Sequence, residues 1–276
     1  PLHKILTYLI MYSYQHRYHA GNFADIHKHV TLLAILKYLH NKESACCIID
    51  AFAGEGIYNL NSKESDFNQE YKTGYSLLKD LSEKNFLYEE LLQKTTENIY
   101  SGSPYVIQSE LRSQDRAIFI ENHTKTHALL VDNFKEISRH KNIKIYKRDS
   151  YEAVNALVPY KEPRGIIFFD PSYEVKTEYH KLANFVYNNY KKNPQGIYVI
   201  WYPIIFQKSF HKELFWLFDK FPKDKIWHNQ IFHKKNEVKK GMYGSGIIVI
   251  NIPWTVDTIL DEHFHSLNEK SNPTQS

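Results

Sequence analysis

Two short stretches of this chain carry side chains whose types and spacing could do chemistry on one substrate. Asp50-Ala51-Phe52-Ala53-Gly54-Glu55-Gly56 follows the apolar run Ala45–Ile49, and Asp170-Pro171-Ser172-Tyr173 follows Ile166–Phe169. A glycine-containing turn at a strand end lets the backbone come close to a nucleotide-like cofactor. At the second turn, the Asp170 carboxylate and the Pro171 carbonyl could accept both hydrogens of an exocyclic amine. That would hold a delocalised, weakly nucleophilic nitrogen toward tetrahedral geometry and aim its lone pair at a methyl sulfonium. The same acceptors would stabilise the positive charge that builds on nitrogen in the transition state, and alignment would supply much of the remaining acceleration. Tyr173 is placed to stack on the base, a contact worth about 1–3 kcal/mol in nucleic-acid sites. No cysteine occupies such a turn, which argues against C5-pyrimidine methylation through a thiol adduct. Taken alone, the tetrapeptide is also an ordinary strand-to-turn sequence. Taken together, the two turns read as S-adenosylmethionine-dependent methylation of adenine N6.

Such turns need strands to set them. Parallel strands are predicted at Ala45–Ile49, at Ala117–Ile120 ending on Glu121, and at Ile143–Tyr146 ending near Asp149. Gly165–Phe169, ending on Asp170, and Ile197–Ile200 complete the set. Helical patterns lie at Ile26–Leu39, which reads as amphipathic, Thr126–Ser138, Tyr151–Leu157, Glu178–Lys191 and Phe210–Phe221. Two last strands, Lys225–Phe232 and Gly246–Ile250, have no helix between them and fit an antiparallel hairpin. The alternation implies an α/β Rossmann-like methyltransferase fold with a mostly parallel seven-stranded sheet. Ligands of such sheets bind at the carboxyl ends of the strands. Gly54 and Gly56 would then lie below the amino acid moiety of the donor, Glu121 would accept hydrogen bonds from its ribose, and Asp149 and Ser150 would meet its adenine ring.

One spacing marks an insertion. The ribose-binding acid of such folds lies roughly 20 residues beyond the glycine turn, whereas Glu121 lies 65 positions beyond Gly56 by subtraction of residue numbers. Residues 58–101, with helical stretches at Tyr75–Leu81 and Phe86–Ile99, are therefore expected to form a small inserted helical subdomain beside the site. Residues 11–57 and 102–260 would make the methyltransferase domain, and residues 261–276 a polar, frayed tail.

Composition sets bounds. With 276 residues, 42% hydrophobic and 24% charged, the chain suits one large α/β domain and not a disordered protein. No apolar stretch reaches the roughly 18 residues needed to cross a bilayer, and adjacent Cys46 and Cys47 cannot form a normal disulfide framework. A cytoplasmic monomer without a membrane partner is expected. Net charge is +4, a weak argument for nucleic acid, and the 15 histidines and 21 tyrosines also fit a low-GC genome. His16, His19, His27 and His29 are close in sequence, but no acidic or thiol partner completes a familiar metal spacing. No metal is expected.

The N-terminal segment narrows the reading. Tyr14-Gln15-His16-Arg17-Tyr18-His19-Ala20-Gly21-Asn22-Phe23-Ala24-Asp25, followed by Ile26-His27-Lys28-His29, resembles the opening of the RlmJ family of 23S ribosomal RNA adenine-N6 methyltransferases. The resemblance runs from Met11 to about Leu260 and includes Gly102-Ser103-Pro104, Trp201-Tyr202-Pro203, Gly241-Met242 and Asn251-x-Pro253-Trp254. It implies His29, Ser103, Glu121, Asp149 and Ser150 as donor contacts and Asp170 as the catalytic position. It also implies Tyr14, His16 and Lys28 as RNA contacts, with Pro171 and Tyr173 on the base. Met11 matches where members of the family begin, so residues 1–10 are read as an upstream extension. The departures are Phe52 for a histidine in the glycine turn, Ser172 for the second proline of Asp-Pro-Pro-Tyr, and Ser150 for a glycine. A less rigid turn implies reduced preorganisation and not inactivity. The expected substrate is 23S RNA, protein-free or in an early assembly intermediate, with its adenine free of the stack. Backbone contacts are expected from Arg17, Lys28, Lys234, Lys235, Lys239 and Lys240. Two alternatives use the same residues: a DNA adenine-N6 methyltransferase, which would usually carry a separate recognition domain, and a non-catalytic RNA-binding assembly protein.

Overall fold

The computed structural model describes residues 16–62, 65, 70–83, 85–136, 142–233 and 241–271. Tyr14, residues 1–10, the loop lysines Lys234, Lys235, Lys239 and Lys240, and residues 272–276 lie outside them.

Apolar runs without alternation mark strands covered on both faces, and four such runs form the middle of the sheet. In chain order, a 3-10 turn at His16–Tyr18 leads to α1 (Phe23–His40), β1 (Cys46–Asp50) and β2 (Ile57–Asn59). Then come α2 (Glu70–Ser82), α3 (Phe86–Gln93), β3 (Ile99–Ser101), α4 (Ser103–Glu110), β4 (Arg116–Ile120) and α5 (Thr124–Phe134). β5 (Ile143–Tyr146), α6 (Ser150–Leu157), β6 (Arg164–Phe169), α7 (Glu178–Lys192) and β7 (Ile197–Ile205) continue the alternation. A 3-10 helix (Phe210–Asp219), β8 (Ile226–Phe232), β9 (Met242–Ile250) and α8 (Val256–Ser271) complete it.

The main sheet has seven strands in the order β5-β4-β1-β6-β7-β9-β8. The first five are mutually parallel, and β9 runs antiparallel to both β7 and β8. This is the expected methyltransferase architecture. From β1 the chain winds outward to β4 and β5, then returns to β6 on the other side of β1. The switch point therefore lies above the carboxyl ends of β1 and β6, where an open α/β sheet binds its ligand. Ala51 N–H donates to the Phe168 carbonyl at 2.9 Å and Ala53 N–H to the Ile120 carbonyl at 3.0 Å. The ladder thus continues past Asp50 and delivers the glycine turn between β6 and β4.

Three expectations about elements change. α1 is not amphipathic: Asp25, His27, Lys28, His29 and Thr31 are buried along with its apolar residues. It sits under α2, α3, α4 and α8, so its polar side chains have partners inside the protein and no solvated face. The helix expected over Phe86–Ile99 stops at Gln93. Beyond it Thr96 Oγ1 accepts the Ile99 N–H at 3.0 Å, the local side-chain bonding that competes with helix. Ile99–Ser101 then pairs antiparallel with Ile57–Asn59, a short ribbon that brackets α2 and α3. The tail is ordered as α8 to Ser271, because Val256, Leu260, Phe264 and Leu267 form one buried stripe at helical spacing.

Candidate active site

A cavity of about 290 Å³ opens above β1, β4 and β6. Its floor is built by the chain's shortest-range rules. Asn22 caps α1 by accepting the Ala24 and Asp25 N–H groups, which fixes where Asp25, Lys28 and His29 point. Gly54 holds φ +61 and its N–H donates to Glu121 Oε2 at 3.1 Å. His123 N–H donates to Glu121 Oε1 at 2.7 Å. Burial still pushes the Glu121 carboxyl up, against those backbone donors. Tyr58 folds over the turn, its hydroxyl oxygen accepting the Glu55 N–H at 3.2 Å. On the far wall the Phe52 ring meets Tyr151 edge-on at 6.0 Å, and Lys181 Nζ lies 3.7 Å from the Tyr151 ring centre.

Asp170 leaves β6 directly into this cavity and pairs with the Lys28 ammonium through Oδ2. Lys28, only 2% exposed, also meets Asp25 Oδ1 at 2.9 Å. The other Asp25 oxygen accepts the Gly21 N–H at 2.7 Å and lies 3.1 Å from His16 Nε2. Burial pushes the Asp25 carboxyl up, but His16 and Lys28 outweigh it and hold it well below the usual carboxylate range. Asp50 is its counterpart on β1: burial, with Asp170 adding, pushes its carboxyl up to about 7. Asp50 Oδ1 accepts the Phe52 N–H at 3.3 Å, while Oδ2 is buried with no hydrogen-bond partner.

Of the residues singled out in the sequence, His16, Lys28, His29, Phe52, Gly54, Ser103, Glu121, Asp149, Ser150, Asp170 and Pro171 all line the cavity. Asp149 does so while capping α6, accepting the Glu152 N–H at 3.0 Å. His29 Nδ1 is 2.7 Å from the Tyr100 hydroxyl, and burial lowers its pKa to about 3, so it sits there neutral.

Some placements differ from expectation. Gly56 lies beneath the cavity: an added Cβ would come within 2.5 Å of the Phe134 ring, and its carbonyl accepts the Gly102 N–H at 2.9 Å. It sets the start of α4 and contacts no ligand space. Tyr173 does not line the cavity either. Its backbone turns left-handed (φ +53), its ring stacks on Tyr179 at 4.2 Å, and its hydroxyl donates to the Trp201 carbonyl at 2.6 Å. Lys28 and Arg17 are engaged within the protein, Arg17 with Glu55 Oε1 at 2.6 Å, and Lys28 is too buried to reach a phosphate backbone. The four histidines disperse: His16 faces Asp25, His19 Glu70, His27 Ser245 and His29 Tyr100. Among the described residues no group of three or more potential ligands could hold a metal ion.

Asp25, Asp50, Tyr58 and Trp201 were missed. Asp25 and Asp50 could have been suspected, each being an acid within a buried run. Tyr58 had no signal that distinguishes it from core aromatics, and Trp201 stood out only within the Trp201-Tyr202-Pro203 match to the family.

Known proteins give this geometry its context. A family model described as "Ribosomal RNA large subunit methyltransferase D, RlmJ" matches residues 43–275. Ribosomal RNA large subunit methyltransferase J of Haemophilus influenzae is 35% identical over 260 residues, covering 91% of each chain. The Escherichia coli protein of the same name is 30% identical over 270 residues, covering 95% of each. A crystal structure of a Legionella pneumophila protein superposes with a TM-score of 0.82 at 31% identity, over 92% of this chain and 94% of that one. The order of strands, the acid at the end of β6 and these matches across most of the sequence have one common reading: the chain belongs to the RlmJ family of ribosomal RNA large subunit methyltransferases.

Proposed function

We propose that the chain transfers the methyl group of S-adenosylmethionine to the exocyclic N6 of an adenine in 23S ribosomal RNA, taken protein-free or in an early assembly intermediate. The observation that carries this reading is Asp170. Its carboxylate stands at the carboxyl end of β6, held by Lys28, and opens on the same cavity as Gly54 and Glu121.

The residues present fit the donor. Each Glu121 oxygen has accepted one backbone N–H and keeps a second lone pair for a ribose hydroxyl. Phe52 and Tyr151 offer an apolar wall beside Asp149 and Ser150, suited to an adenine ring. The bound sulfonium would supply an electrophilic methyl group.

Lys28 occupies Asp170 Oδ2, fixes the plane of the carboxylate and leaves Oδ1 for the target amine. Asp170 Oδ1 and the Pro171 carbonyl accept the two N6 hydrogens, which concentrates the lone pair on nitrogen. As the C–N bond forms and the C–S bond breaks, these acceptors face the charge developing on N6, the preorganised stabilisation that dominates such steps. The surplus N6 proton lies against the Asp170 carboxylate and leaves through it. Tyr173 acts from behind: its hydroxyl bond to Trp201 and its left-handed backbone aim the turn.

Methylation of protein-free 23S RNA fragments against matched DNA tests the reading, with donor binding followed by calorimetry. N6-methyladenosine in RNA and donor uptake are expected. Preference for DNA overturns the substrate, and failure to bind the donor points to a non-catalytic binder.

A further inference from the structure

Trp201 stands at the centre of a closed ring of contacts that joins α1 to the sheet behind the Asp170 turn. It lies on β7 and is 7% exposed. One side of its indole receives the Lys28 ammonium, 4.7 Å from the ring centre. Its Nε1–H donates to Ser245 Oγ of β9 at 2.8 Å. Ser245 is fully buried and lies 2.9 Å from Nδ1 of His27. His27 precedes Lys28 on α1, so the circuit returns to its start. Burial lowers the His27 pKa to about 3, which leaves a neutral ring able to accept the Ser245 hydroxyl hydrogen at Nδ1. The Trp201 carbonyl, meanwhile, accepts the Tyr173 hydroxyl at 2.6 Å. One residue therefore touches both partners that orient Asp170: the ammonium on its Oδ2 and the tyrosine of its own turn.

We infer that Trp201 is a positioning residue for the Asp170 turn, its aromatic face seating the Lys28 ammonium while Ser245 and His27 fix the rotation of the indole. Two carboxylates hold the Lys28 ammonium, Asp170 at the cavity and Asp25 on its own helix, and the Trp201 face meets it as well. A desolvated cation held over an aromatic face adds to that restraint. Ser245 Oγ accepts the indole N–H, so the ring's orientation depends on a hydroxyl of β9. This inference rests on the adenine-N6 reading above.

The test compares Trp201→Phe, which keeps the face and loses the N–H, with Trp201→Leu, which loses both, and Ser245→Ala, which frees the ring. Turnover of Trp201→Leu should fall roughly 10- to 30-fold, while Trp201→Phe stays within about threefold of wild type and Ser245→Ala falls between. RNA KM and donor affinity should stay within about twofold in all three. Equal loss of turnover in the Phe and Leu variants at matched melting temperatures, or a loss confined to KM, overturns the inference. A second readout needs no catalysis. In proton–carbon spectra labelled at lysine Cε and assigned with Lys28→Arg, the Lys28 signal should be shifted upfield by ring current in wild type and Trp201→Phe. It should return to the ordinary lysine position in Trp201→Leu. An unshifted Lys28 in wild type refutes the inference whatever the reaction. A shifted Lys28 in a wild-type protein that forms no N6-methyladenosine refutes the reaction alone.

Discussion

Gly54 is where the donor turn is most sharply constrained, and the strain of Gly54→Ala can be worked from its surroundings. Its φ of +61 is a left-handed conformation, which costs an L-residue about 1–2 kcal/mol. An added Cβ would stand 2.2 Å from the Tyr58 hydroxyl oxygen and 3.6 Å from Cζ. The first distance is prohibitive and the second is ordinary contact, so the clash belongs to one oxygen atom. Displacing it adds an overpacking penalty of about 1–3 kcal/mol. Gly54→Ala should therefore destabilise by roughly 2–5 kcal/mol, a melting-temperature loss on the order of 10 °C. Tyr58→Phe alone loses the acceptor of the Glu55 N–H, about 1 kcal/mol. In the double variant the oxygen is gone and the clash with it, which leaves only the backbone strain and the lost hydrogen bond. The double variant should thus be more stable than the sum of the singles by about 1–3 kcal/mol. Urea unfolding of the four proteins measures this directly, and calorimetry should show donor affinity partly restored in parallel. Simple additivity would refute the assignment of the clash to the Tyr58 hydroxyl.

The carboxylate and the buried acid beneath it give two more expectations. Asp170→Ala and Asp170→Asn should abolish methyl transfer in a single-turnover RNA assay while the protein still folds, since the buried Lys28 keeps Asp25 as its partner; near-wild-type turnover of Asp170→Ala would sink the mechanism. Asp50 loses its proton near 7 when folded and near 3.8 when unfolded. Between those values the unfolded chain binds fewer protons, so the contribution is present at low pH and is lost as pH rises through about 7. Asp50→Asn should flatten that decline in unfolding free energy from about pH 4 to about pH 7, and identical slopes would show that Asp50 ionises normally.

The sheet was legible because strands buried on both faces must be continuously apolar. Cys46–Ile49, Ala117–Ile120 and Ile166–Phe169 are all buried, and each stood out as such a run. The acids ending those strands were legible for the same reason, a charge that abruptly closes an apolar run. What the sequence hid was pairing across distance. Lys28 and His27 look like a solvated helix face because their partners, Asp170 and Ser245, lie 142 and 218 positions away. Tyr173 reads as a base contact because it closes the Asp-Pro-x-Tyr turn, but its backbone is left-handed there and its ring stacks on Tyr179. α8 escaped notice because its buried stripe is narrow and its remaining surface is strongly polar. The β2–β3 ribbon is three residues a side, too short for periodicity to register.

Mass-spectrometric mapping of N6-methyladenosine in 23S ribosomal RNA tests the central claim most directly. The comparison is between cells with the gene, cells without it, and cells carrying the Asp170→Ala form. A 23S adenine should be N6-methylated with the gene, unmodified without it, and unmodified with the variant. An unchanged 23S methylation map across all three, or restoration of the mark by Asp170→Ala, would contradict the account.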